Sequence, residues 1–370
     1  MRPRLLFIYL QPSSFVREDL RILGDAFDLV PYQFGAVASA GRLGSGEKPG
    51  VAAFGLMLLD QLLWLLRELP RADGVYGWFS DYHMFLPVLA ARLFRKPVAV
   101  SVGGFDAISL PSLEYGIVES SWRWPIARTV LRGADVLLPV SPSLVYSKNR
   151  FSEWPKVTEQ GIRAFVPNVS TTIHVLPTGY DPGLWKMGPL VRDAVVSTVG
   201  MIDSDRTLRR KGVDLFFETA RLMPDVRFRA VGVADPAGVA RRYDPPQNVE
   251  LIGPVRREEL LEVYHGTSVY LQLSRAEGLP NVLCEAMLCG CVPVGSRAFG
   301  IPDGVGAAGW VVDEPDPGKA RDAVRRALQA GVERREAARA HILQHFHVER
   351  RRNDLLAIVN RMLDAHARTS

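Results

Sequence analysis

Short continuous apolar runs alternate along the chain with longer stretches of helical periodicity. In the first half the runs 5–10, 75–79, 97–102, 136–140 and 173–176 predict strands. In the second half the runs 195–199, 227–231, Val249–Ile252, 269–273, 292–294 and Trp310–Val312 predict six more. Their hydrophobicity is continuous and does not alternate, which implies sheets covered on both faces and hence parallel strands. Between them the apolar positions recur as on a helix: Val213, Phe216, Phe217 and Ala220 stand at i, i+3, i+4 and i+7. Strand–helix alternation in two blocks predicts an α/β protein of two doubly wound, Rossmann-like domains. The segment 182–192, with two prolines and two glycines, is the best linker. It places a first domain over 1–187 and a second over 188–349. Ligands of such sheets bind beyond the carboxyl ends of the strands, so two facing edges would make an interdomain cleft.

One segment beyond such an edge carries chemistry. Glu277 and Glu285 stand eight positions apart in a stretch running from Ser274 to Gly290. Pro280 suits the first turn of a helix, where its missing N–H is no loss, and Gly290 suits the left-handed position just past the end. The helix then starts just after Glu277 and holds Glu285 two turns inside. The amides of Gly278, Leu279 and Asn281 point outward at the positive end of the helix dipole, which is a site for phosphate. A carboxylate beside a phosphate site makes sense if it accepts hydrogen bonds from a vicinal diol. Phosphate together with diols describes a nucleotide sugar.

Composition narrows the setting. The 370 residues are 47% hydrophobic, enough for two cores, and carry a net charge of +5. With a pI of about 9.2 this is a mild basic bias, which suits anionic substrates or lipid surfaces. A lysine-rich tail and the aromatic–basic motifs of nucleic-acid readers are lacking, so no nucleic-acid partner is expected. The three cysteines, Cys284, Cys289 and Cys291, read as small buried hydrophobes in a reducing compartment. Residues 5–10 follow two arginines but are too short for a signal peptide and read as a first strand. Residues 51–66 are apolar but interrupted by Asp60 and Gln61, and short for a membrane span. Residues 120–132 mix Trp122, Trp124, Ile126 and Val130 with Arg123, Arg128 and Arg132. That pattern fits a helix resting on a membrane, or one packed on the core with an arginine face. The expected location is cytoplasmic, with peripheral contact at the inner face of the membrane as an added option.

The Glu277–Glu285 segment resembles the E-x7-E signature of retaining glycosyltransferases of the GT-B fold, especially glycosyltransferase family 4. Val199-Gly200 with Lys211-Gly212-Val213-Asp214, Pro177-Thr178-Gly179-Tyr180-Asp181 and Ala134-Asp135-Val136 resemble further family segments in the expected order. The likeness is strongest in the second half. It implies a nucleoside-diphosphate-sugar donor on the second domain. On the first it implies an acceptor, which would be a glycan, a lipid-linked molecule or a small molecule. It also implies a final helix, 350–370, that crosses back onto the first domain, and no catalytic metal or cofactor. By resemblance Glu285 holds the ribose, Glu277 meets the donor sugar, and Lys211 binds the diphosphate with Gly278, Leu279, Pro280 and Asn281. The family's arginine after Val-Gly is here Met201, which leaves Arg209 or Arg210 as substitutes. The family's histidine facing the sugar is absent. Gly104 and Asp106, in Gly103-Gly104-Phe105-Asp106 after a predicted strand, are the candidates to approach the donor there, Asp106 as a catalytic residue.

Other patterns carry less. Gly304 to Gly309 matches G-x-G-x-x-G but precedes a strand and opens no helix. His341, His345 and His347 have ligand-like spacing without a carboxylate constellation. Asp203-Ser204-Asp205 resembles the D-x-D of glycosyltransferases with another fold. Two alternatives stay open from sequence: a GT-B epimerase or phosphorylase, and a catalytically silent binding protein.

Overall fold

The computed structural model describes residues 2–36 and 50–368. The first domain runs β1 (Arg4–Tyr9), α1 (Ser14–Ala26), β2 (Asp28–Gln33), α2 (Val51–Glu68), β3 (Gly74–Trp78), α3 (Tyr82–Leu93), β4 (Val98–Val102), α4 (Arg123–Gly133), β5 (Val136–Pro139), a small hairpin of β6 (Ser147–Asn149) and β7 (Thr158–Gln160), α5 (Ile162–Phe165) and β8 (Thr172–Ile173). Its six-stranded sheet has the order β2-β1-β3-β4-β5-β8 and is parallel throughout.

The second domain runs β9 (Val195–Ile202), α6 (Asp205–Arg210), α7 (Val213–Arg221), β10 (Arg227–Val233), α8 (Pro236–Tyr243), β11 (Val249–Ile252), α9 (Arg257–His265), β12 (Val269–Gln272), α10 (Asn281–Leu288), β13 (Val292–Ser296), α11 (Ile301–Val305), β14 (Trp310–Val312), α12 (Pro317–Leu328) and α13 (Val332–His345). Its sheet, β11-β10-β9-β12-β13-β14, is also parallel. The central strands β3, β4, β5 and β13 are buried along their whole length, as their unbroken apolar runs require. All eleven predicted strands are present. The sequence pattern misses β2, whose Asp-Leu-Val-Pro-Tyr-Gln is half polar, and the polar hairpin β6–β7. Pro31 is tolerated in β2 because that strand is a sheet edge.

The last helix, α14 (Val348–Ala367), packs on α1 of the first domain, and residues 369–370 lie outside the described part. One buried knot fixes it. Arg351 donates to Asp19 from Nε at 2.7 Å and from Nη2 at 2.6 Å, and from Nη1 to the carbonyls of Leu176 at 3.0 Å and Pro177 at 2.8 Å. Asp19 also accepts from the Tyr76 hydroxyl at 2.5 Å and Trp78 Nε1 at 2.8 Å. Burial alone would lower the guanidinium's pKa, but Asp19 overrides it and the net direction is upward. In each sheet the strand order reverses beside its first strand, at β1/β3 and at β9/β12. Loops from the carboxyl ends of both sheets meet in one cleft.

Candidate active site

The second domain delivers its charged groups from two turns. α6 ends at Lys211, and Gly212 follows in the left-handed conformation, φ +71°. A Cβ on Gly212 would lie 2.0 Å from the Leu273 carbonyl oxygen, so only glycine lets the chain turn here. The turn aims Lys211 at the loop after β12. There Lys211 Nζ donates to Glu277 Oε1 at 2.6 Å, Ser274 Oγ donates to the same oxygen at 3.2 Å, and Arg210 Nη1 stands 3.9 Å from it. Burial would raise the pKa of Glu277, but Lys211, Arg210 and the two hydrogen bonds prevail and hold it below the usual carboxylate range. Glu277 is therefore ionised.

α10 begins at Asn281, directly after Pro280, and is followed by Gly290 in the left-handed conformation, φ +82°. Its leading amides have no acceptor within the helix. Glu285 is the fifth residue of this helix, one turn in where two were expected, because the helix starts only at Asn281. Gly278 lies against the other domain. A Cβ there would be 2.1 Å from the carbonyl oxygen of Gly103, so the loops after β4 and β12 touch backbone to backbone. Further bonds cross between the domains: Ser141 Oγ to Asp303 at 2.9 Å and Arg150 to Glu314 at 2.8 Å.

A cavity of about 350 Å³ lies in this cleft. Lys211, Glu277, Gly278, Leu279, Pro280 and Asn281 line it from the second domain, with Gly200 and Met201. Phe15, Trp78, Phe79, Phe105 and Tyr115 wall it from the first. Asn281 is shared with an adjoining cavity of about 250 Å³ that holds Glu285, Arg257, Tyr180 and Trp185. Lys211, the start of α10 and two carboxylates thus line two adjoining cavities.

Two of the expected site residues are placed differently. Asp106 is 1% exposed, and its carboxylate accepts from the amides of Ser80 at 3.0 Å, Gly103 at 3.1 Å and Gly104 at 2.9 Å. It lies under the loop after β4 and holds its shape; it does not reach the cleft. Burial pushes its pKa up to about 6, against the pull of those amides. Gly104, with its amide bonded to Asp106, serves the approach of the two loops: a Cβ on it would lie 3.2 Å from the Gly278 nitrogen. Of the two arginines, Arg210 is at the site, its guanidinium 4.8 Å from the Tyr115 ring centroid, and Arg209 is exposed. His341 meets the Asp303 carbonyl and His347 accepts from the Glu349 amide.

Sequence reasoning missed the aromatic wall and Arg257. The wall comes from α1, from the end of β3 with the residue after it, and from the segment between β4 and α4, and Arg257 comes from the start of α9. Only the fold brings them together.

Glu285 is 8% exposed, and burial pushes its pKa up to about 7, with Arg257 and the Tyr264 hydroxyl acting the other way. A raised folded pKa means that the folded state binds more protons than the unfolded one between about 4.5 and 7. This residue's contribution to stability therefore falls as pH rises through that window. A carboxylate that accepts from a diol must be ionised, so nucleotide affinity should rise over the upper part of the same window. Thermal unfolding against pH, with and without nucleotide, should show both slopes, and Glu285→Gln should flatten both. Parallel curves for variant and wild type would sink the assignment.

Solved structures share its whole architecture. A sucrose-phosphate synthase from Thermosynechococcus elongatus superposes with a TM-score of 0.73 over 98% of this chain and 100% of its own, at 14% identity. HepE of Anabaena, in complex with UDP and glucose, gives 0.70 over 97% and 99%, at 16% identity. The fold is GT-B. Residues 193–330 match the family described as glycosyl transferases group 1. A GDP-mannose-dependent alpha-(1-6)-phosphatidylinositol monomannoside mannosyltransferase of Mycolicibacterium smegmatis is 30% identical over 248 residues, 56% of this chain and 59% of that protein. A D-inositol 3-phosphate glycosyltransferase of a Mycobacterium species (strain KMS) is 28% identical over 151 residues, 38% of this chain and 33% of that protein. The matches thus span from about a third to three fifths of the curated relatives' length. The second half of the chain thus resembles the group 1 glycosyltransferases, and the chain as a whole has their GT-B fold.

Proposed function

We propose that the protein is a retaining glycosyltransferase that moves a sugar from a nucleoside-diphosphate sugar to an acceptor hydroxyl. The observation that carries this is the convergence of Lys211, the leading amides of α10 and an ionised Glu277 on one cleft between the domains, with Arg210 3.9 Å behind Glu277. The diphosphate would lie against Lys211, Arg210 and the amides of Gly278, Leu279 and Asn281. The nucleoside would extend toward Glu285, whose carboxylate accepts from the ribose hydroxyls. Glu277 would accept from hydroxyls of the donor sugar while keeping Lys211 Nζ in place.

In the reaction the bond from the anomeric carbon to the diphosphate oxygen breaks. A bond from that carbon to the acceptor oxygen forms on the same face, and the acceptor proton passes to the leaving diphosphate. Negative charge grows on the leaving group, so cations and amides already aimed at it lower the barrier. The protein supplies positioning and charge, and Asp106 acts indirectly by holding the loop that meets Gly278. Closure of the two domains would assemble the site. The acceptor is a glycan, a lipid-linked molecule or a small molecule bound on the first domain.

Thermal unfolding with UDP, GDP, ADP and dTDP tests the donor site. A nucleotide at a hundred times its dissociation constant adds about 2.7 kcal/mol to native stability. One nucleotide should raise the transition in the wild type and fail to do so in Glu285→Ala. No shift with any of the four would refute the donor site. Product analysis with the matching nucleotide sugar then separates transfer from epimerisation, which releases no diphosphate.

A further inference from the structure

α2 is apolar on both its faces. Inward, Phe54 and Met57 line a cavity of about 500 Å³, and Leu65 is buried. Outward, Leu56, Leu59, Leu63 and Leu66 are 51–67% exposed and follow one another at i, i+3, i+7 and i+10, a single stripe. Arg67 is the sole charged residue at an exposed position of this helix. A surface helix of a protein that meets only water carries a polar outer face.

The neighbouring helices say what covers it. α3 and α4 pack beside α2 in one layer, and Trp122, 55% exposed, joins them, its ring 6.3 Å from Phe54 and 6.1 Å from Tyr82. Segments 82–96 and 121–133 contain no aspartate or glutamate. Their exposed charges are Arg92, Arg95, Arg128 and Arg132, beside exposed Leu89 and Leu93. We propose that α2, with the outer ends of α3 and α4, docks on an anionic lipid bilayer and lies flat in its interface.

Leucines and a tryptophan would enter the headgroup boundary while arginines meet anionic phosphates. A second copy of the chain fits less well, because self-pairing of this face would bring its arginines together. The helix does not insert across the membrane. Among the described residues no helix is long and apolar enough to cross one, and α2 is tied down by Tyr32 to Asp60 at 2.7 Å and Arg4 to Glu68 at 2.8 Å. Of the two readings of 120–132, packing on the core with an arginine face holds: Ala127, Val130 and Leu131 of α4 are buried, and only its arginines and the preceding Trp122 reach the proposed membrane face.

The cavity beneath α2 shares Phe15, Trp78 and Phe79 with the donor cleft. A bilayer-borne amphiphile passing α2 would reach the donor there. That last step rests on the proposed transferase function, and the docking itself does not.

Co-sedimentation with vesicles of phosphatidylcholine alone, and of phosphatidylcholine mixed with phosphatidylglycerol, tests the docking. The protein should bind the mixed vesicles, less at high salt. The double variant Leu59→Glu/Leu63→Glu, at exposed positions, should bind at least about tenfold more weakly with an unchanged unfolding temperature. A wild type that stays in solution with both vesicles, or a variant that binds as well as the wild type, would overturn the proposal. So would a wild-type dimer that the variant turns into a monomer in light scattering, since a second copy would then cover the stripe. Nucleotide stabilisation, measured on the same samples, reports the donor site separately.

Discussion

Lys211→Ala should lower kcat/KM by about 10²–10³, the loss typical of removing one preorganised group from a developing negative charge. The wild-type geometry explains why the effect is large. Lys211 Nζ is bonded to Glu277 Oε1 at 2.6 Å with both side chains mostly buried, so the ammonium group is already in place before the donor arrives. Arg210 is farther from the same oxygen, at 3.9 Å, and is held over Tyr115, so it cannot swing in without leaving that ring. The substitution removes a charge from the diphosphate and the first partner of Glu277 together. The second effect raises the glutamate's pKa, since burial already pushes that way and only Arg210 and Ser274 remain to oppose it. Activity of the variant should therefore rise with pH over a range where the wild type is flat. Release of nucleoside diphosphate, measured from the nucleotide sugar whose base the unfolding experiment selects, checks both. A variant as fast as the wild type would remove Lys211 from the mechanism.

Most of this site is legible in the sequence, and the reason is local. Pro280 and Gly290 fix where α10 begins and ends, so Glu277 must precede the helix and Glu285 must lie inside it. Lys211 is legible for the same reason, through the obligatory glycine after it. Arg210 cannot be told from Arg209 by sequence because one residue on a short helix changes direction by about 100°. Only the position of Tyr115 decides between them. Asp106 misleads because an aspartate after a strand serves equally as a ligand for sugar hydroxyls or as a cap for loose amides. Three backbone N–H groups within reach, at Ser80, Gly103 and Gly104, settle it. The aromatic wall and the outward leucines of α2 are invisible for a different reason. Period alone shows that a residue is apolar, and it takes the packed structure to show that Leu59 and Leu63 face out.

Arg351→Met should destabilise the protein by about 3–5 kcal/mol, the cost of leaving one member of a buried ion pair without its partner. Both side chains are essentially inaccessible, at 2% and 0%. Methionine fills part of the volume but donates nothing, so the Asp19 carboxylate is left with only Tyr76 and Trp78 as donors. The carbonyls of Leu176 and Pro177 lose their donor as well. The loss is not confined to stability. Arg351 fixes α14 to the first domain while Tyr180 brackets the turn before that helix, its amide donating to Phe346 at 2.8 Å and its carbonyl accepting from Val348 at 3.1 Å. The Tyr180 hydroxyl in turn donates to Asn281 at 2.9 Å, at the start of α10. Loosening α14 should therefore widen the cleft and weaken nucleotide binding without touching a residue that meets the ligand. Adding Asp19→Asn should recover part of the stability, because the neutral amide still accepts from Trp78 and no lone charge stays buried. Denaturant unfolding of the single and double variants, with nucleotide titrations on each, measures both consequences. A single variant within about 0.5 kcal/mol of the wild type, the range of an ordinary surface change, would show that the knot does not hold the helix.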